Sequence, residues 1–281
     1  MKTENIMNIN VIANYSKLKL SLFILPLFLL LTIVLLLYGQ GTLNGHNYIQ
    51  IQKDAFFYIN CHLGHYPNIV YNLTQLGDDC ILLSFLTIFI LYAPKIWETL
   101  LSVLLVSLMF SYSLKNVFSI PRPATVFDNN SFIIIGKTAT GFASLPSGHS
   151  ITVFSTIAVL LFAFMPEKRF FKILWIFSVV GVGIIIVFTR VGVGAHFPLD
   201  VIIGSIIGYI SGIIGIFISQ KYKIWNWVSN KKYYPIFILF ILINAVILIT
   251  KIINENLIVF YLALISLFIS LYKIIYEYAK K

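Results

Sequence analysis

Three clusters carry the residue types from which phosphoryl chemistry is built: Lys115 with Arg122-Pro123, then Pro146-Ser147-Gly148-His149, then Arg190 with His196 and Asp200. Each stands at the end of a strongly apolar stretch, where a charged or polar side chain is costly unless it has a task. Lysine and arginine neutralise phosphate oxygens, and a Ser-Gly helix start offers an anion free N–H groups and the positive end of a helix dipole. An imidazole can attack as a nucleophile or hand a proton to a leaving oxygen. His196 and Asp200 are four apart, so on a helical start they would lie one above the other, with the carboxylate fixing the ring's tautomer. Taken singly, each cluster has a plainer reading: interface anchors, a capped helix, a structural His–Asp pair.

The elements that must position these groups are membrane helices. Of 281 residues, 59% are hydrophobic, 16% aromatic and only 11% charged, too greasy and too charge-poor for a soluble domain. Long uncharged runs predict an all-α, polytopic transmembrane bundle with spans near 20–38, 80–93, 99–114, 149–165, 173–189, 199–219, 235–250 and 256–272. Lys17 and Lys19 precede the first run as in a signal peptide, yet the run is long and lacks a clear small-x-small cleavage site, so a retained helix is expected.

A net charge of +10 does not point to nucleic acid, because the basic residues follow topology. With a cytoplasmic amino terminus, fourteen of the twenty Lys and Arg, Lys2 and Lys281 among them, fall on the cytoplasmic side. The outer six are Lys53, Lys115, Lys137, Lys251, Arg122 and Arg190, and three of those belong to the motif clusters. The positive-inside rule then predicts a multi-pass protein of a bacterial inner membrane, both termini cytoplasmic, with all three clusters facing the periplasm or exterior.

Two external segments stand out. Residues 39–79 are too polar to span, and Asp54 to Tyr58, with Tyr66 and Tyr71, suit a stretch lying flat in the interface as an anchor. Residues 115–148 join two of the clusters and are broken by Pro121, Pro123, Gly136, Gly141 and Pro146; a connection of that length is usually functional or disordered. An oxidising compartment would permit a disulfide between Cys61 and Cys80, and two partly buried thiols are an equal alternative. The five histidines, His46, His62, His65, His149 and His196, do not form a metal-ligand pattern with neighbouring carboxylates or thiolates. Metal-free catalysis without a cofactor is therefore expected.

Order and spacing of the clusters resemble the type 2 phosphatidic acid phosphatase superfamily, the membrane lipid phosphatases related to vanadium haloperoxidases and bacterial acid phosphatases. Its pattern is Lys, six residues, Arg-Pro; Pro-Ser-Gly-His; then Ser-Arg, five residues, His, three residues, Asp. This chain departs at one position, with Thr189 in place of the serine. The resemblance implies a six-helix phosphatase core (motifs within about 75–220) in a domain 1–230, leaving 231–281 as a C-terminal helical hairpin. It implies His196 as the nucleophile that becomes a phosphohistidine, Asp200 orienting it, and His149 protonating the leaving oxygen and later activating water. Lys115, Arg122, Ser147, Gly148 and Arg190 would bind the phosphate. The expected substrate is a phosphorylated membrane lipid, with undecaprenyl diphosphate, lipid A or phosphatidic acid as types. A phosphotransferase or a non-catalytic lipid transporter are the alternative readings. The headgroup and the oligomeric state have no readable code.

Overall fold

In hydrocarbon every backbone N–H and C=O must be paired within its own segment, so apolar runs of this length become helices. The computed structural model describes residues 6–280, and among them the regular structure is helical throughout. In chain order the α-helices are α1 (Ile6–Ser16), α2 (Ile24–Gly39), α3 (Gly45–Gln50), α4 (Lys53–Gly64), α5 (Pro67–Thr74), α6 (Asp79–Leu86) and α7 (Phe89–Tyr92). There follow α8 (Pro94–Phe118), α9 (Pro123–Val126), α10 (Gly148–Ala163), α11 (Arg169–Gly192), α12 (Pro198–Lys221), α13 (Tyr234–Glu255) and α14 (Ile258–Ala279). Lys2 and Lys281 lie outside the described residues.

Among the described residues six helical segments are long and apolar enough to cross a membrane, and α10 is a shorter apolar helix of 16 residues. The span expected at 80–93 is broken into α6 and α7. Hydroxyls explain the break. Ser84 Oγ donates to the Cys80 carbonyl at 2.6 Å, and Thr87 Oγ1 donates to the Ser84 carbonyl at 2.8 Å. Ser266 of α14 also reaches the Ser84 carbonyl, at 3.2 Å. Acceptors used by side chains bend or end a helix. A helix that hydropathy did not single out, α1, buries Val11 and Tyr15 beneath α10, with Tyr15 Oη donating to the Val159 carbonyl at 3.2 Å.

The pair that sets the site is α10 against α12. Without a hydrophobic drive between helices in lipid, close approach depends on small residues, and α12 presents Gly204, Gly208 and Gly212 at four-residue spacing. A Cβ on Gly208 would lie 2.5 Å from the Ile151 carbonyl oxygen, and one on Gly204 would lie 2.8 Å from that of Ser147. The backbones therefore touch where side chains would normally separate them. On the other side, Gly215 abuts the α8 backbone at Val103.

Over one end of this bundle lies a layer built from α3, α4, α5 and the loop 119–147. Phe56 of α4 is fully buried and packs its ring against Phe57, Phe127, Phe132 and Phe197 at centroid distances of 5.4, 5.9, 5.4 and 5.4 Å. Burial of one such ring contributes roughly 1.5–3 kcal/mol. The stretch expected only to anchor at the interface thus builds a core, while Tyr58 and Tyr66 stay exposed. Cys61 and Cys80 are free thiols, Cys61 exposed and Cys80 half-buried.

Candidate active site

All three motif clusters converge on the covered end. Lys115 sits in the last turn of α8, which closes at Ser119 in the left-handed conformation (φ 44°, ψ 41°). Pro121 and Pro123 then carry the chain away from the helix, as expected of residues that remove a donor and restrict their neighbours. Arg122 is fixed by pairing with the far side of its loop: its N–H donates to the Gly141 carbonyl at 2.9 Å, and the Ser144 N–H donates to the Ile120 carbonyl at 3.0 Å.

Ser147 is the N-cap of α10 and accepts from the Ser150 N–H at 3.4 Å. Its own N–H donates to the Asp200 carbonyl at 3.1 Å, which ties the starts of α10 and α12 together. Gly148 lies close beneath Lys115: a Cβ there would lie 3.2 Å from Nζ. The ammonium thus stands over the N–H groups that open α10, a cation and a helix start sharing one space. His149 is half-buried on the first turn, and the charges that reach it are those of Arg190, His196, Lys115 and Arg122.

The third cluster turns between α11 and α12. Gly194 carries a positive φ of 77°, and a Cβ would lie 2.8 Å from the Ile133 carbonyl oxygen, so only glycine fits. The turn folds His196 and Ala195 back so that both N–H groups donate to the Arg190 carbonyl, at 3.3 and 3.0 Å. His196 is 2% exposed. Burial first, then the charges of Arg122, Arg190 and Lys115, hold its imidazole well below the ordinary value.

Asp200 differs from expectation. His196 precedes α12, whose N-cap is Phe197, so the two residues are not stacked on one helix face. His196 Nδ1 lies 3.7 Å from Asp200 Oδ2, beyond a hydrogen bond, and is buried without a partner. The carboxylate is taken up instead by Tyr48 Oη on Oδ1 (2.8 Å) and by Ser144 Oγ and the Phe197 N–H on Oδ2 (2.6 and 2.9 Å). The Thr189 hydroxyl donates to the Ile186 carbonyl of its own helix.

Among the described residues none of Lys115, Arg122 and Arg190 has an acidic partner within ion-pair distance. Arg122 Nη1 reaches the Ala195 carbonyl at 3.4 Å, and Arg190 Nη1 donates to Thr74 Oγ1 at 2.9 Å while its buried Nε has no partner. Three cations without counter-ions, and a buried donor without an acceptor, make a space suited to a multiply charged anion.

The PAP2 superfamily matches this chain over residues 96–225. Across that stretch the chain is similar to the PAP2 superfamily. The matched stretch takes in all three clusters. A relative of this chain is the undecaprenyl-diphosphatase of Sulfolobus acidocaldarius, 28% identical over 188 residues, which cover 66% of this chain and 84% of the relative. A similar solved structure is the crystal structure of Aquifex aeolicus LpxE, with a TM-score of 0.49 and 25% identity, covering 59% of this chain and 95% of that one.

Around the PAP2 motifs the fold adds side chains that the sequence did not mark. Tyr48 and Ser144 hold Asp200; Gln52 Oε1 accepts from the Leu199 N–H at the start of α12, at 2.9 Å. Asn60 ties α4 to the end of α11, donating to the Val191 and Gly192 carbonyls at 3.1 and 3.0 Å, and to the loop, accepting from the Ile133 N–H at 2.8 Å. Asn60 had one signal, a polar residue just after the run Phe56-Phe57-Tyr58; Tyr48, Gln52 and Ser144 had none. Among the described residues no three of His, Cys, Asp and Glu are grouped to hold a metal ion.

Proposed function

We propose that this protein is a metal-independent membrane lipid phosphatase or pyrophosphatase that works through a phosphohistidine at the outer face of the membrane. One observation carries the reading: three cations without acidic partners and two imidazoles meet at one end of an apolar bundle. In phosphoryl transfer catalysis is mostly positioning and stabilisation of equatorial oxygens, and Lys115, Arg122 and Arg190 supply the positive charge that a metal ion would otherwise bring. Ser147 and the Gly148 N–H complete the cradle.

A ring nitrogen of neutral His196 attacks phosphorus, the bond to the leaving oxygen breaks, and His149, protonated once the negative phosphate lies beside it, gives that oxygen its proton. A water oxygen then attacks phosphorus, the P–N bond breaks with its electron pair returning to His196, and the water's proton passes to His149, which restores both groups. Asp200 holds the turn that carries His196, and its 3.7 Å separation from Nδ1 would close when the ring becomes cationic, since catalytic hydrogen bonds often tighten only in the complex. The name of the Sulfolobus relative favours a polyprenyl diphosphate as substrate.

The test is phosphate release by the purified protein from polyprenyl diphosphate and from phosphatidic acid, in chelator and in oxygen-18 water. Activity should persist, one labelled oxygen should enter each phosphate released, and His196→Ala should lower turnover by at least about a thousandfold. Loss of activity in chelator, unlabelled phosphate, or an active His196→Ala variant would refute the reading.

A further inference from the structure

Residues 71–78, the last turn of α5 and the turn that leads into α6, touch the site on one side and the C-terminal hairpin on the other. On the inner side Thr74, 1% exposed, accepts from Arg190 Nη1 at 2.9 Å. Gly77 lies against His149 so closely that a Cβ would meet the histidine Cβ at 2.7 Å and Cδ2 at 2.8 Å. One short segment therefore fixes both the arginine and the histidine from outside the three motifs.

On the outer side the same segment is held by α13 and α14. Asp78 Oδ2 lies 3.0 Å from Lys251 Nζ, Tyr71 Oη donates to Glu255 at 2.8 Å, and Asn72 Oδ1 accepts from the Val259 N–H at 3.0 Å. Lys251 and Glu255 are one turn apart on α13, opposite in charge, so each takes a partner at one end of the segment. Beneath them Ile81 of α6 is buried with Phe260, Ala263 and Leu267 of α14.

We propose that the hairpin α13–α14 is a positioning device for catalysis, with Lys251 and Glu255 as positioning residues that hold segment 71–78 against Arg190 and His149. This rests on the phosphatase reading of those two residues. The Lys251 and Asp78 side chains are 27% and 28% exposed, and a partly exposed pair contributes little to global stability. Its loss acts on geometry instead, and a displacement of the order of 1 Å at the reacting groups can cost up to about a hundredfold in rate.

The experiment uses the full-length protein in detergent, with Lys251→Met, Asp78→Asn, the double variant, Lys251→Arg and, as an independent strut, Glu255→Gln. Asparagine at 78 keeps a helix cap on α6, because Asp78 now accepts from the Cys80 and Ile81 N–H groups. Measured are kcat and KM for the lipid phosphate, inhibition by orthovanadate as a mimic of the phosphoryl transition state, and the unfolding midpoint. Lys251→Met and Glu255→Gln should each lower kcat about tenfold with KM within about twofold, and weaken orthovanadate inhibition in parallel. The Lys251→Met/Asp78→Asn double variant should be no worse than the poorer single variant, and Lys251→Arg should stay within about twofold of wild type.

Unchanged kcat per folded molecule in both Lys251→Met and Glu255→Gln would overturn the proposal, as would losses at Lys251 and Asp78 that multiply, or a fall confined to the unfolding midpoint. A wild-type protein that releases no phosphate would overturn the underlying phosphatase reading, and the proposal with it.

Discussion

At the scale of single residues, the site is defined by how its buried charges are satisfied. Asp200 is fully buried and accepts from Tyr48, Ser144 and the Phe197 N–H, so Tyr48, far from the motifs in sequence, governs how the turn carrying His196 is held. Tyr48→Phe keeps the ring and removes one donor to a carboxylate, a hydrogen bond of about 1.5–3 kcal/mol. The expected result is a fall of about tenfold in kcat/KM on lipid phosphate without loss of fold, whereas unchanged kinetics would reduce Tyr48 to packing. His196 supplies a pH prediction. Its folded value is depressed by burial and three cations, so the ring stays neutral and nucleophilic below the ordinary value of about 6.5. Nucleophile-dependent kcat/KM, corrected for the substrate's own ionisation, should hold as pH falls through about 6.5 and fail only at lower pH. An acid limb at the ordinary value would count against a neutral, cation-surrounded His196.

Pairs of elements are held at distances that few sequences allow. The register of α10 on α12 is set where Gly208 meets the Ile151 carbonyl at a would-be Cβ distance of 2.5 Å. Because that carbonyl is backbone, the helices must part to admit a methyl group. Gly208→Ala should therefore destabilise the protein by about 1–3 kcal/mol, seen as a lower unfolding midpoint in detergent. It should also reduce activity, since the start of α10 carries Ser147 and His149. Gly181→Ala is the control: nothing lies within 4 Å of a Cβ there, and a helix-favouring substitution at an open site should be neutral or slightly stabilising. Equal effects of the two changes would show that the close approach is not what sets the pairing.

For the whole molecule, connectivity puts the motif clusters at one end of the bundle and Lys95, Lys168, Arg169 and Lys221 at the other. The positive-inside rule predicts that the site end faces away from the cytoplasm. Cys61, exposed on α4 in the layer over the site, reports this without any new cysteine. A membrane-impermeant maleimide should label the wild-type protein in intact cells, and Cys61→Ser should abolish most of that labelling. Labelling only after the membrane is opened would invert the topology.

Read alone, the sequence determined the class of fold and the chemistry. Apolar run length dictates helices in a membrane, and the types and spacing of Lys115, Arg122, Ser147, His149, Arg190, His196 and Asp200 resemble those of a phosphoryl-transfer family, because both depend on residue type and local order. What only the tertiary structure decided is how those groups are held. The run at 80–93 breaks because Ser84 and Thr87 spend their hydroxyls on carbonyls, in part through contacts with α14. Asp200 is held by Tyr48 and Ser144, with the histidine four residues before it 3.7 Å away. Gly77, Thr74 and Lys251 matter because chain segments distant in sequence press together there. Such contacts join residues 56 to 183 positions apart, and no periodicity or motif in the intervening chain encodes which two will meet.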